Sequence, residues 1–160
     1  MPIDTFRNLR VYQGALETCL QVFEVTKAFP GEERYGLVGQ VRRSSRSVCA
    51  NLAEAWHKRR YPAAFVAKLN DAESEAAETQ VWVDMAQRCG YLGEETARRF
   101  HIAYDRILAR LVKMEQCPER WTLNLLPNTE KGSSPKPTTS VPSPAPQLPS
   151  SPARPAKASP

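Results

Sequence analysis

Residues 35–60, YGLVGQVRRSSRSVCANLAEAWHKRR, decide how the rest of the chain is read. Wound as one helix from Tyr35 to Arg60, the stretch brings Leu37, Val41, Val48, Leu52 and Trp56 into a narrow arc, because steps of three, four and seven residues return to one side every 3.6 residues. That arc is a core-facing stripe. Beside it runs a polar ridge of Gln40, Arg43, Ser47, Asn51 and Glu54, also at steps of three or four. Asn, Ser and Gln are middling choices for a freely solvated helix face, yet they serve well where donors and acceptors meet partners on another helix. A solvated face and an inter-helix or inter-subunit polar seam are both open to this ridge, and its composition favours the seam.

Outward from this stretch the chain divides at prolines and glycines. Apolar residues Phe6, Leu9, Val11, Tyr12, Leu16, Leu20, Phe23 and Phe29 fit a first helix from about Asp4 to Phe29, with Asp4 or Thr5 as N-cap and Pro30-Gly31 as its end. Glu32 and Glu33 precede the second helix, where negative charge suits the helix N-terminus. Pro62 opens a third helix running to about Cys89, with Phe65, Leu69, Ala72, Ala76, Thr79, Val83 and Ala86 on one face. The alanines let a neighbouring helix pack close. Gly90 suits the position after a helix end, Glu94-Glu95 start a fourth helix, and Pro118 marks its end. The fourth helix takes Ala97, Phe100, Ile102, Ala103, Tyr104, Ile107, Leu108, Leu111, Val112 and Met114 as its apolar positions. Four helices with short links predict an all-α, antiparallel up-down-up-down four-helix bundle over residues 1–126, with Trp121 to Leu126 folded back over one end. Residues 127–160, rich in Pro and Ser, cannot bury enough apolar surface to offset ordering and are expected to form a disordered tail.

Charge is the strongest functional signal. The 160 residues carry a formal net charge of +5, which permits a polyanionic partner without requiring one. Arg42, Arg43 and Arg46, with Lys58, Arg59 and Arg60 beyond them, form a candidate phosphate-binding track. Arg98 and Arg99, followed by Arg106 and Arg110, extend it on the fourth helix. Capping also explains part of the cluster, since cations at 58–60 lie at a helix C-terminus. On the third helix Asp71, Glu75 and Glu78 form an acidic stripe that Trp82 continues. It either faces water or meets the basic residues of the second helix, where exposed pairs contribute only about 0–1 kcal/mol but fix orientation.

Catalytic chemistry finds little support. Glu54 and His57 form one E-x-x-H, but a bundle di-iron site needs a second, and His101 supplies none. The four cysteines, Cys19, Cys49, Cys89 and Cys117, show no close pairing and no zinc spacing, and are expected to be buried reduced thiols. There is no phosphate-cradling glycine loop and no nucleophile elbow. We therefore expect no enzyme activity, no cofactor, no metal and no small-molecule substrate. No apolar run approaches the roughly 20 residues that span a bilayer, so no membrane association and a cytoplasmic location are expected.

Several segments taken together point to a family. FRNLRVYQ at Phe6–Gln13, FPGEERYGL at Phe29–Leu37, QVRRSSRSVCANLAE at Gln40–Glu54 and CGYL at Cys89–Leu92 resemble the bacterial four-helix-bundle proteins named for the intervening sequences of 23S ribosomal RNA genes. The resemblance covers about residues 5 to 116 and leaves the tail outside. It implies a homopentamer without catalytic activity, similar in fold to the accessory variability proteins of diversity-generating retroelements, whose basic pentamers engage reverse transcriptase and RNA. By that analogy the ridge from Gln40 to Glu54 is a signature seam and the arginines are polyanion contacts. Ala55 stands where many members have Gly, and Glu73-Ser74 where they have Gly-Ser, so RNA contacts are pushed toward the second and fourth helices. The expected function is thus a nucleic-acid or nucleoprotein binder, with a retroelement accessory subunit as one form and a structural scaffold as the alternative.

Overall fold

The computed structural model describes residues 4–123, and the expected tail at 127–160 lies outside them. Four helices form a bundle: α1 (Arg10–Val25), α2 (Leu37–His57), α3 (Pro62–Arg88) and α4 (Glu94–Gln116). No strand occurs among the described residues. α1 packs on α2 and α4, and α3 packs on the same two, so the four helices close a ring around the core. Across the α2–α3 contact the pairs run in opposite senses along the two helices: Arg43 meets Glu75 and Glu78, whereas Glu54 meets Lys68.

Each helix boundary has a local cause. The first helix is shorter than its apolar pattern suggested, because Thr5 caps a separate 3-10 turn at Phe6–Asn8 and Leu9 is extended before α1 begins. At its other end α1 tightens into a 3-10 turn at Thr26–Ala28. α2 begins at Leu37 rather than Tyr35. A carboxylate oxygen of Glu33 accepts the Leu37 N–H at 3.0 Å, which supplies the missing cap. A Cβ at Gly36 would lie 2.8 Å from that same oxygen, so the glycine makes room for the capping carboxylate. Pro62 is the first residue of α3, and Gly90 ends the turn after it with φ of 77°, a conformation that suits glycine.

The buried face of α3 is the one read from the sequence: Phe65, Leu69, Ala72, Ala76, Thr79, Val83 and Ala86. One core cluster centres on Val48, Leu52, Leu69, Tyr104 and Leu111, and a second on Val22, Val41, Val83 and Phe100. Trp121 packs against the first, and the Leu123 N–H donates to Arg59 O at 2.9 Å. The chain after α4 therefore folds back over the α2–α3 connection as far as Leu123, while 124–126 lie outside the described residues.

Three apolar expectations fail. Leu16, Leu20 and Ile102 are 40%, 57% and 41% exposed, because each lies a third of a turn or more from the centre of its helix's buried arc. Nor are the cysteines scattered. The Cys19 and Cys49 thiols neighbour one another across the α1–α2 contact, and Cys49 first, with Ser45 and the Arg46 charge, lowers the Cys19 thiol below its ordinary value. Cys89 is exposed and Cys117 half-buried at helix ends, contrary to the expected burial.

A candidate polyanion interface and the α2–α3 seam

The polar ridge of α2 meets the acidic stripe of α3 within one chain. The Arg43 guanidinium reaches Glu75 at 3.2 Å and also pairs closely with Glu78, whose carboxylate accepts the Trp82 indole N–H at 3.0 Å. Arg43 first, and then the indole, hold the Glu78 carboxyl below the usual carboxylate range. Further along, the Lys68 ammonium contacts Glu54 at 2.9 Å, Asp71 at 3.1 Å and the Asn51 side-chain oxygen at 3.3 Å. Helical periodicity puts these groups on facing edges, and only their tertiary contact completes the network. Gln40 remains exposed and Ser47 half-buried beside it.

Behind the seam lie two buried hydroxyls, Thr79 on the α3 face read from the sequence and Ser44, which the sequence pattern did not single out. Ser44 Oγ and Thr79 Oγ1 lie 2.8 Å apart, Thr79 also lies 2.8 Å from Glu75 O, and both residues are fully buried. The doubled serine in RRSSRS was the available signal: on a helix, Ser44 and Ser45 fall inside the apolar arc between Val41 and Val48.

The basic residues divide into engaged and free. Arg42 turns inward, donating to Thr26 Oγ1 at 2.7 Å with its guanidinium 4.6 Å above the Phe23 ring. Arg59 donates to Trp56 O at 2.9 Å and stacks 3.3 Å over the Trp56 ring, which serves as a helix C-cap. Arg98 pairs with Glu95 one turn earlier. Arg46, Lys58, Arg60 and Arg99 are exposed, and no ion pair engages them among the described residues. The track expected along α2 is thus interrupted, since Arg42 and Arg43 have their charges committed elsewhere.

Free positive charge gathers instead along the α1–α4 boundary, where three concavities follow one another. Near the α4 N-terminus Arg99 lines one with Glu17, Glu24 and Leu20. In the middle Arg106 and Arg110 line the next, again with Glu17. Past them, Arg10, Arg110, Lys113 and Arg120 line the third, which has no acidic wall. The groove becomes purely cationic toward the C-terminal end of α4.

Glu115 on the same helix faces the other way. One of its carboxylate oxygens is buried without a partner, and burial, reinforced by Glu73, pushes its carboxyl above the usual range. Between the ordinary and the raised value the folded state holds a proton that the unfolded chain has lost, so stability falls as pH rises through that window. Glu115→Gln is expected to raise the melting temperature at pH 7, and the gain should vanish below about pH 4, where both states are protonated. Thermal melts at the two pH values check this, and an equal gain at both would contradict it.

His57 lies beside Phe6, with ring centroids 6.2 Å apart, and His101 Nε2 lies 2.8 Å from Asp84. Among the described residues no three His, Cys, Asp or Glu side chains gather as a metal site, and no helix is long and apolar enough to cross a membrane.

Comparison with known proteins agrees with this architecture. The family model described as 23S rRNA-intervening sequence protein matches residues 7–113, from the turn before α1 into the last turns of α4. Among solved structures, a crystal structure of a protein of unknown function from the S23 ribosomal protein family of Bacteroides thetaiotaomicron is 27% identical, with a TM-score of 0.61. The similarity covers 66% of this chain and 95% of that one. A search of curated proteins returned no match.

Proposed function

The chain belongs to the 23S rRNA-intervening sequence protein family, and on that footing we propose that it is a non-enzymatic, antiparallel up-down-up-down bundle that binds RNA or a nucleoprotein partner. The observation that carries this reading is the cationic groove between α1 and α4, where Arg99, Arg106, Arg110 and Lys113 recur along one edge of a single helix. A row of that length can follow a phosphate backbone, with affinity supplied by counterion release. Of the residues expected to contact phosphate, Arg99 belongs to this groove, with Arg46, Lys58 and Arg60 as peripheral charge. Arg42, Arg43, Arg59 and Arg98 serve the fold.

Assembly as a homopentamer in the cytoplasm, with a reverse transcriptase as one class of protein partner, completes the reading. Several copies of a modestly basic groove would add avidity that one copy lacks. A scaffold role without nucleic acid is the second reading, favoured by the exposed Leu16 and Leu20 on α1, which offer an apolar assembly surface.

Light scattering of the full chain, alone and with a structured RNA, separates the two. A closed oligomer that gains RNA mass at about 50 mM salt and loses most of it by about 200 mM is expected for phosphate-driven binding. An oligomer that ignores RNA at both salts would sink the RNA reading and leave the scaffold, and a monomer would remove the avidity argument.

A further inference from the structure

The cationic end of the groove is more than a patch of surface. It deepens into a cavity of about 620 Å³, within the size range of ligand pockets. Arg10, Arg110, Lys113 and Arg120 approach it from three segments: the first turn of α1, the last turns of α4 and the 3-10 turn at Pro118–Arg120. None of its lining residues is acidic, and no ion pair engages any of the four cations among the described residues. Arg110 commits one guanidinium nitrogen to Arg10 O at 3.3 Å, which holds its fork over the cavity edge. Four like charges held round one concavity repel one another, and an anion would relieve that repulsion.

Apolar side chains also line the cavity, Met114 and Trp121 among them, and Trp121 is fixed from both sides. Its own N–H donates to Pro118 O at 2.9 Å, the Leu123 N–H two residues on is tied to Arg59 O, and Trp121 packs on the core. An aromatic residue set in place beside several phosphate-seeking cations matches a ligand with a flat π-face and a phosphate at one end. An inorganic anion would leave the aromatic side chain unused, and an apolar molecule would leave the four cations unpaired.

We propose that this cavity holds one nucleotide unit, its phosphate among Arg10, Arg110, Lys113 and Arg120 and its base against Trp121. The unit has two possible sources, a free mononucleotide or an unpaired nucleotide of an RNA strand lying in the groove. The second source rests on the RNA reading above, and the first does not.

Titration of the full-length protein with AMP, adenosine, inorganic phosphate and a ten-residue oligoadenylate, followed by calorimetry, tests the assignment. AMP is expected to saturate, with adenosine and phosphate each weaker by about tenfold or more, since each uses only one part of the lining. Lys113→Glu with Arg120→Glu should weaken AMP by at least about tenfold, because two exposed cations become repulsive, while Arg88→Glu in the last turn of α3, outside the cavity lining, changes nothing. Trp121→Ala should remove the advantage of AMP over phosphate. Should that variant unfold, the indole N–H resonances of the wild type decide, since AMP must shift Trp121 and leave Trp56 and Trp82 in place. Oligoadenylate binding that falls in parallel with AMP identifies a strand nucleotide as the source. Oligoadenylate binding that is absent or unaffected while AMP binding is lost identifies a free nucleotide. Failure of AMP to saturate, or saturation unaltered by the Lys113 and Arg120 replacements, overturns the proposal. The RNA reading would survive either result if oligoadenylate still bound through Arg99 and Arg106.

Discussion

Reversing Arg99, Arg106 and Arg110 together to glutamate is expected to weaken RNA binding by about 100-fold or more at 0.1 M salt. The three side chains line successive concavities of the α1–α4 groove from one helix. An exposed cation meeting a phosphate contributes on the order of 1 kcal/mol, so three lost contacts amount to about 3 kcal/mol, or two decades in affinity. Reversal adds repulsion to that loss. The logarithmic salt slope should also flatten by about 2, from roughly 0.7 per phosphate contact on a single strand. Arg43→Gln is the matching control. Its guanidinium already faces Glu75 and Glu78, so the neutral replacement should change RNA affinity less than about twofold. Filter binding across a salt series reads both quantities. Should Arg43→Gln cost as much as the triple reversal, phosphate would be meeting α2, and the groove would not be the interface.

The second large effect concerns packing. Ala76→Leu is expected to destabilise the bundle by about 1–3 kcal/mol, because three additional carbons must enter a fully buried site in the centre of α3. Ala72 and Ala76 sit among Leu52, Leu69 and Tyr104 in the main core cluster, so a larger side chain has to push helices apart or adopt an unfavourable rotamer. Ala77→Leu places the same side chain one residue on, at an exposed position, and should alter stability by less than about 0.5 kcal/mol. Urea denaturation of the two variants gives the comparison. Equal midpoints would mean that the alanine face is not tightly packed.

An ion-pair seam alone would not supply stability on that scale. Glu78 is lowered by Arg43, so its contribution is present above the ordinary carboxylate value and is lost as pH falls through the depressed one. The pairs are partly exposed, and solvent screening keeps each of them weak. Their effect is on register: Arg43 of α2 sits between Glu75 and Glu78 of α3 while Lys68 of α3 reaches Glu54 of α2, so a one-turn slip of α3 along α2 would break the Lys68–Glu54 contact.

How much of this could be read from residues alone depends on the range over which each cause acts. Helix punctuation is local. Pro62 at the start of α3, Gly90 after its end and Glu94-Glu95 at the start of α4 act within a turn of themselves, and each stands where the sequence put it. Buried faces with strict 3.6 spacing, above all on α3, were equally legible because a helix's geometry fixes which side chains share an arc. The edge of an arc was not. Leu16, Leu20 and Ile102 are apolar enough to be buried, but whether a flank is covered depends on where the neighbouring helix lies.

The candidate site shows the same division. Residue order alone places basic side chains on the second and fourth helices and acids on the third. Which of these charges remain free depends on how the helices pack. Bringing α2 against α3 neutralises Arg43, and bringing α1 against α2 draws Arg42 onto Thr26 and Phe23. The cysteines Cys19 and Cys49, 30 positions apart, meet across that same α1–α2 contact. The cationic cavity needs Arg10, Arg110 and Trp121 from three separate segments, and no periodicity along the chain could have placed them together. Identity and spacing fix what a side chain can do within its own helix, whereas the charge that a surface presents is set by the pairings that packing completes.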